Sequence, residues 1–259
     1  LEFLKKYLAA LILFIKPIVD VVQVFKKSSN IFKYPGFIIS FFKYKFNSSE
    51  VVEFLDIHPE MNDKRFDNKE VFGQYFYQDN WALNKVFLSN AKEHFDIGSR
   101  IDGFVSQCSV FARVNFLDFR APDLSIRNLN CIGGSILNLP FDDSSIRSLS
   151  CLHVIEHIGL GRYGDTVNFN GSIEALIELK RVLSKNGSLY LGVPIGRERV
   201  AFNAHRIFNP MTVINTMDGL RLVEFSVVDD DNFFIKNANL SEFNNSRYSL
   251  GLFHFKGVD

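Results

Sequence analysis

From His94 onward the chain alternates short apolar runs with amphipathic or polar stretches. Seven runs have the length and the β-branched or aromatic content of strands. They are HFDIG at 94–98, VNFLDF at 114–119, LNCIGG at 129–134, IRSLSCLHV at 146–154, SLYLGVP at 188–194, RLVEFSVVD at 221–229 and SLGLFHFK at 249–256. Between the fourth and fifth, SIEALIELKRVLS at 172–184 has helical period, with Ile173, Leu176, Ile177, Leu179 and Val182 as its apolar positions. Ser172 stands where an N-cap is expected, and Gly187 follows as a stop. Strand–helix alternation implies an α/β domain, a mostly parallel seven-stranded sheet with helices on both faces. The last two strands are joined only by the polar NFFIKNANLSEFNNSRY, so they can pair antiparallel. Upstream, FGQYFYQDNWALNKVF carries Trp81, Leu83 and Val86, which with Phe87 and Leu88 would make one apolar helix face. The pattern divides the chain into an N-terminal helical extension (1–46), a helical connector (47–92) and an α/β domain (93–259).

Charge refines this division. Lys plus Arg and Asp plus Glu are both 29, and a net charge of zero argues against a duplex nucleic-acid partner, whose phosphates require a basic excess. Residues 1–46, however, hold eight lysines against Glu2 and Asp20, which is +6, so the remainder is −6. Tyr7–Ile15 is the longest apolar run there, far short of the roughly 20 residues of a spanning helix. Lys16 and Pro17 end it and no small-residue cleavage site follows, so no secretory signal is expected. Lysines interleaved with Phe, Tyr and Leu suit peripheral contact with an anionic membrane, at the inner face for a cytoplasmic protein. Helices packed on the domain with their lysines solvated are the other reading. Three cysteines (Cys108, Cys131, Cys151) without a CxxC pair signal neither a disulfide framework nor a zinc site, and the expected compartment is reducing.

A parallel sheet places its ligand at the carboxyl ends of its strands, so the residues after each strand are the candidates for chemistry. The first strand ends FDIGSRIDGF, where Asp96, Gly98 and Gly103 read as a nucleotide-binding turn. The second ends at Asp118, about twenty residues on, where an acid can accept from ribose hydroxyls. The third leads into GGSILNLPFDDSSI with Ser135 and Asn138 at the site edge. The fourth leads into CLHVIEHIGLGRYGD and the fifth into VPIGRERVAFNAHRIF.

This order, over residues 92–228, resembles the class I S-adenosylmethionine-dependent methyltransferases, through DIG at 96–98, Asp118, LPFDDSSI at 139–146, LHVIEH at 152–157 and RVLSKNGSLYLGVP at 181–194. The resemblance implies a Rossmann-like fold and S-adenosylmethionine as cofactor. Asp96, Gly98, Ser99 and Gly103 would then lie along its methionine part, Asp118 on the ribose, Ser135 at the adenine and His153 beneath. GQYFYQD at 73–79, DIGSRIDGFVS at 96–106, LHVIEHIGLGRYGD at 152–165 and VPIGRERVAFNAHRIFNP at 193–210 resemble a narrower family, known only as a domain of unknown function with a methyltransferase-like core. That likeness implies a setting among bacterial surface-polysaccharide genes and a sugar or glycan substrate, nucleotide- or lipid-linked. The usual glycine loop is altered, since Arg100 and Asp102 stand where later glycines are expected. Arg100 would either pair with the cofactor carboxylate or fill its space.

Within this frame His153 or His157 is the expected general base, taking a hydroxyl proton, with Glu156 beside them and His205 a further candidate. His153, Glu156 and His157 share a helical turn's spacing, but HVIEH is not the HExxH of zinc enzymes, and no metal is expected. Arg162 and Tyr163 in GLGRYGD, and Arg197, Asn203 and Arg206 in GRERVAFNAHRIF, are expected at the substrate, the arginines being costly to bury without an anion. The expected activity is methyl transfer to a sugar or glycan precursor. The alternatives are another glycan modification on the same fold, or a non-catalytic scaffold.

Overall fold

The computed structural model describes residues 34–47, 72–201 and 204–258. The expectations for most of the basic extension, for 48–71 and for Asn203 lie outside these residues. Two compact units divide the chain, Leu1–Glu70 and Val71–Asp259.

In the first unit helix α1 (Tyr34–Asn47) is apolar or aromatic on nearly every side. Ile39 is 68% and Phe46 79% exposed, Phe42 stacks on Phe46, and Lys45 lies 5.9 Å over the Phe41 ring. No helix among the described residues is long and apolar enough to cross a membrane.

In the second unit α2 (Gln74–Leu88) precedes β1 (Glu93–Ile97), a helical turn (Ile101–Val105) running into the short α3 (Ser106–Cys108), β2 (Arg113–Asp118) and β3 (Leu129–Gly133). β4 (Ile146–Leu152), a 3-10 turn (Ile155–His157), α4 (Gly171–Val182) and β5 (Leu183–Ile195) follow. Then come β6 (Arg199–Ala201), β7 (His205–Ile207), α5 (Pro210–Thr216), β8 (Leu220–Val228), β9 (Phe234–Ile235) and β10 (Ser249–Gly257). The sheet runs β3-β2-β1-β4-β5-β10-β8-β9. β1 to β5 are parallel, whereas β10 is antiparallel to both β5 and β8.

All seven expected strands form. The eighth, β9, is only two residues long, and the β6–β7 hairpin forms a separate sheet. Alternation along β5 builds both faces of the core. Leu189, Leu191 and Val193 pack with Ala175, Leu176, Leu179 and Val182 of α4, while Tyr190 packs with Trp81, Ala82 and Val86 of α2 on the other side.

Three local expectations need correction. Asn170 rather than Ser172 occupies the N-cap of α4, and Ser172 is buried in the first turn. That helix passes directly into β5 at Leu183, so Gly187 lies inside the strand and Asn186 makes the bend at φ 58°. Finally, α2 buries Gln78, Trp81, Ala82 and Val86, leaving Phe87 61% and Leu88 75% exposed. A tertiary tie sets this face: Glu224 of β8 accepts from Trp81 Nε1 at 2.8 Å and pairs with Lys85 at 2.5 Å. Hence α2 packs as part of the sheet domain.

Candidate functional site

The strand order reverses between β1 and β4, and beside that switch point a cleft of about 270 Å³ opens at the carboxyl ends of β1 and β2. Its walls include Gly98, Asp118, Phe119, Arg120, Gly134, Ile136, Val154, His157, Tyr163 and Asp165. Gly98 turns at φ +72°, its N–H donating to Leu117 O at 2.8 Å, and a Cβ there would meet Val154 Cγ1 at 3.0 Å. Close approach of the β4 loop therefore requires glycine at this turn. Asp118 accepts from Arg120 N through Oδ1 at 2.7 Å, and its Oδ2 has no hydrogen-bond partner among the described residues.

The other expected cofactor residues stand behind this wall. Asp96 is wholly buried, accepting from Ser99 N at 3.0 Å, Ser99 Oγ at 2.7 Å and Ser150 Oγ. Burial pushes its carboxyl up to about 6, with those hydrogen bonds opposing the rise. Ser99 Oγ in turn accepts from Leu152 N at 3.0 Å, so the pair clasps the β1 turn to β4. Gly103 faces Asp79 of α2, and Ser135 Oγ accepts from Leu137 N, while its neighbours Gly134 and Ile136 line the cleft. Arg100 is held by Asp102 at 3.1 and 2.8 Å and lies 5.0 Å over the Tyr75 ring, outside the cleft wall.

Beyond His157 lies a second group of polar side chains. His153 adopts φ 58° ahead of the 3-10 turn, so the histidines of HVIEH take different partners rather than sharing a helical face. His153 Nδ1 meets Gln78 Oε1 at 2.9 Å and its ring lies 4.7 Å from that of Tyr75. Burial, then the neighbouring His157 and His205, pushes it down to about 3. His157 Nδ1 donates to Ala204 O at 2.7 Å, which leaves Nε2 as the lone-pair nitrogen. Glu156 Oε1 stands 3.7 Å from that nitrogen, wholly buried, and neither carboxyl oxygen has a hydrogen-bond partner among the described residues. Burial pushes Glu156 up to about 8, so it is protonated at neutral pH. The His205 ring lies 4.9 Å from Tyr248 and 6.5 Å from His157. Tyr163 sits between the guanidinium groups of Arg162 and Arg120, at 5.0 and 5.2 Å.

Arg206 is placed otherwise than expected. Its Nη1 donates to Ile158 O at 2.5 Å and the residue is 9% exposed, so it struts the hairpin to the β4 loop rather than facing a ligand. Arg197 is exposed on the approach to β6. Among the described residues no three His, Cys, Asp or Glu side chains converge as a metal site.

A family described as Caenorhabditis protein of unknown function, DUF268, matches residues 144–253, from just before β4 through most of β10. No curated protein matches the chain. Among solved structures, a candidate sarcosine dimethylglycine methyltransferase from Galdieria sulphuraria superposes with a TM-score of 0.51 at 13% identity, over 83% of this chain and 97% of that one. The complex of the Haloferax volcanii Trm112 methyltransferase activator with a candidate methyltransferase gives 0.50 at 13%, covering 74% and 92%. The cyclase SpnF gives 0.51 at 9%, covering 71% and 81%. The fold is the Rossmann-like class I methyltransferase fold.

In that fold the cleft at Gly98 and Asp118 stands where the sequence places the cofactor turn, and His157 borders it. Tyr75, Gln78 and Tyr248 adjoin the second group without having been singled out by the sequence, whereas Arg199 is one of the three arginines of GRERVAFNAHRIF. Gln78 alone carried a signal, a polar side chain on the buried face of an otherwise apolar helix. Tyr75 and Tyr248 are brought in by α2 and by the loop before β10.

Proposed function

We propose that this protein is an S-adenosylmethionine-dependent methyltransferase whose acceptor is a hydroxyl of a sugar or glycan precursor. The observation that carries the first half is the cleft at the switch point, with a side-chain-free turn at Gly98, an acid at Asp118 with one oxygen unpartnered among the described residues, and apolar walls at Phe119 and Ile136. These residues fit the group: backbone and acid for the ribose, apolar wall for the adenine. When bound, S-adenosylmethionine supplies a methyl group on a sulfonium, an electrophile that needs an aligned nucleophile. Arg100 leaves the cleft open, which removes the main ground for a blocked cofactor site.

His157 suits the base better than His153, because it lines the cleft and keeps Nε2 free to take the hydroxyl proton. His153 is packed on Tyr75 and bonded to Gln78. The sugar half of the reading, and its setting in surface-polysaccharide synthesis, rests on the resemblance of the four strings between Gly73 and Pro210.

Isothermal titration with S-adenosylhomocysteine tests the cofactor half. Binding is expected, and Asp118→Ala should weaken it by roughly ten- to a hundredfold, the worth of a hydrogen bond to a charged group. Folded wild-type protein that gives no heat at millimolar ligand would overturn the reading. For the acceptor half, incubation with a panel of nucleotide sugars should yield a product heavier by one methylene. His157→Gln should slow that turnover at least a hundredfold.

A further inference from the structure

We propose that the mouth of the site beside the β6–β7 hairpin binds a phosphate group of the acceptor, held by Arg162 and Arg199 near His205. This deepens the methyl-transfer reading and rests on it only for calling the ligand an acceptor.

Arg162 and Arg199 approach from separate elements. Arg162, on the loop after the 3-10 turn, spends Nη1 on Ala204 O at 2.9 Å. Arg199, at the start of β6, spends Nη1 on Arg197 O at 2.8 Å and Nη2 on Arg247 O. Those backbone bonds orient both guanidinium groups but neutralise neither. The pairing of Ala201 with His205 puts the imidazole at the end of the hairpin, one residue from Ala204. His205 registers both arginines: burial first, then the charges of Arg162 and Arg199, hold it below its ordinary value.

Among the described residues no carboxylate forms an ion pair with Arg162 or Arg199, and Asp230 is taken up by Arg247 N, Tyr248 N and Ser249 Oγ. None of the ion pairs among the described residues involves Arg162, Arg197, Arg199 or Arg247. Glu156 is wholly buried and its carboxyl is pushed up to about 8 against the opposing charge of Arg162, and Asp165 accepts from the N–H groups of Gly159, Gly161 and Tyr163. Glu198 accepts from Thr212, and burial raises the Tyr248 phenol to about 12, so it carries no charge. Oriented guanidinium groups without a counter-ion are the usual preparation for an anion. Donors arriving from a loop, a hairpin and an imidazole suit the several oxygens of a phosphate better than the two of a carboxylate.

The test is titration of the full chain with pyrophosphate at low and moderate salt, in parallel with S-adenosylhomocysteine. Wild type should bind pyrophosphate with an affinity that falls as salt rises. Arg162→Gln/Arg199→Gln should lose at least tenfold in that affinity and keep S-adenosylhomocysteine binding within twofold. Equal pyrophosphate affinity in wild type and variant overturns the proposal while leaving the methyl-transfer reading intact. Lost cofactor-analogue binding in wild type overturns the latter alone. Should the double variant fail to fold, Arg199→Lys, which keeps the charge and loses the fork, must still weaken pyrophosphate several-fold. Sedimentation with phosphatidate vesicles distinguishes the source: binding that needs the two arginines puts the phosphate on a lipid headgroup. Arginine-dependent pyrophosphate binding without it puts the phosphate on a soluble precursor.

Discussion

At Glu156 the carboxyl is wholly buried, its oxygens have no hydrogen-bond partner among the described residues, and burial lifts it from 4.5 to about 8. The folded chain therefore holds a proton here over an interval in which the unfolded chain has released it. Stability from this group is fully present below about 4.5 and is lost as pH rises towards 8. Each pKa unit is worth about 1.4 kcal/mol, so the loss approaches 5 kcal/mol at most. Glu156→Gln, which cannot ionise, should gain on wild type steadily between pH 5 and pH 8. Urea unfolding of both proteins at a series of pH values checks this, and parallel curves would refute it. Comparing the two proteins cancels the opposite trend of His94 and His153, both pushed down to about 3 by burial. At this scale the sequence was legible where a side chain meets a turn of fixed spacing, as at Gly98 and Asp118. It was not legible for Arg206 and Ser99, whose partners, Ile158 O and Leu152 N, are backbone atoms that residue types do not reveal.

Between β5 and α5 the hairpin positions Arg199, His205 and Arg206, and one glycine anchors it. Gly196 lies at φ +152°, and a Cβ there would come within 2.1 Å of Ser246 O, a backbone atom that cannot swing away. Gly196→Ala should cost about 3 kcal/mol from backbone strain and displacement of that loop. Because the hairpin lies beyond the cleft wall, the variant should lose pyrophosphate affinity more than S-adenosylhomocysteine affinity. Thermal unfolding and the two titrations read these effects, and an unchanged melting temperature would contradict the anchor. The elements themselves divide by length. The seven long strands were readable because runs of five to nine residues carry a period, whereas β6 and β7 are three residues each, Arg-Val-Ala and His-Arg-Ile. What holds them is tertiary: the Ile195–Phe208 bridge, the Arg206 strut and the Gly196 contact. The face of α2 was misread for the same reason, its burial being set by Glu224, 143 residues from Trp81.

Across the whole molecule the zero net charge is distributed unevenly in three parts. Residues 1–46 are +6, but residues 47–70 carry seven acids and three bases, so the unit from Val71 onward is only −2. Most of the acidity that balances the arm thus lies next to it in sequence rather than in the sheet domain, and the unmatched arginines at the site mouth stand on a nearly neutral body. This unit has its own two-sided core, so a fragment of residues 71–259 should unfold cooperatively and keep both S-adenosylhomocysteine and pyrophosphate binding. If residues 1–46 contact an anionic membrane, the full chain should sediment with phosphatidylserine vesicles and the fragment should not. Each lysine near such a surface is worth about 1 kcal/mol, and a Debye length of about 8 Å at physiological salt makes the attraction fall steeply as salt rises. The acids of 47–70 work against it, so a fragment of residues 47–259 should bind no better than one of 71–259. Vesicle binding that survives removal of residues 1–46 would place the membrane contact elsewhere on the chain. Absence of binding by the full protein would leave the lysines of this segment as solvated charge without a membrane role.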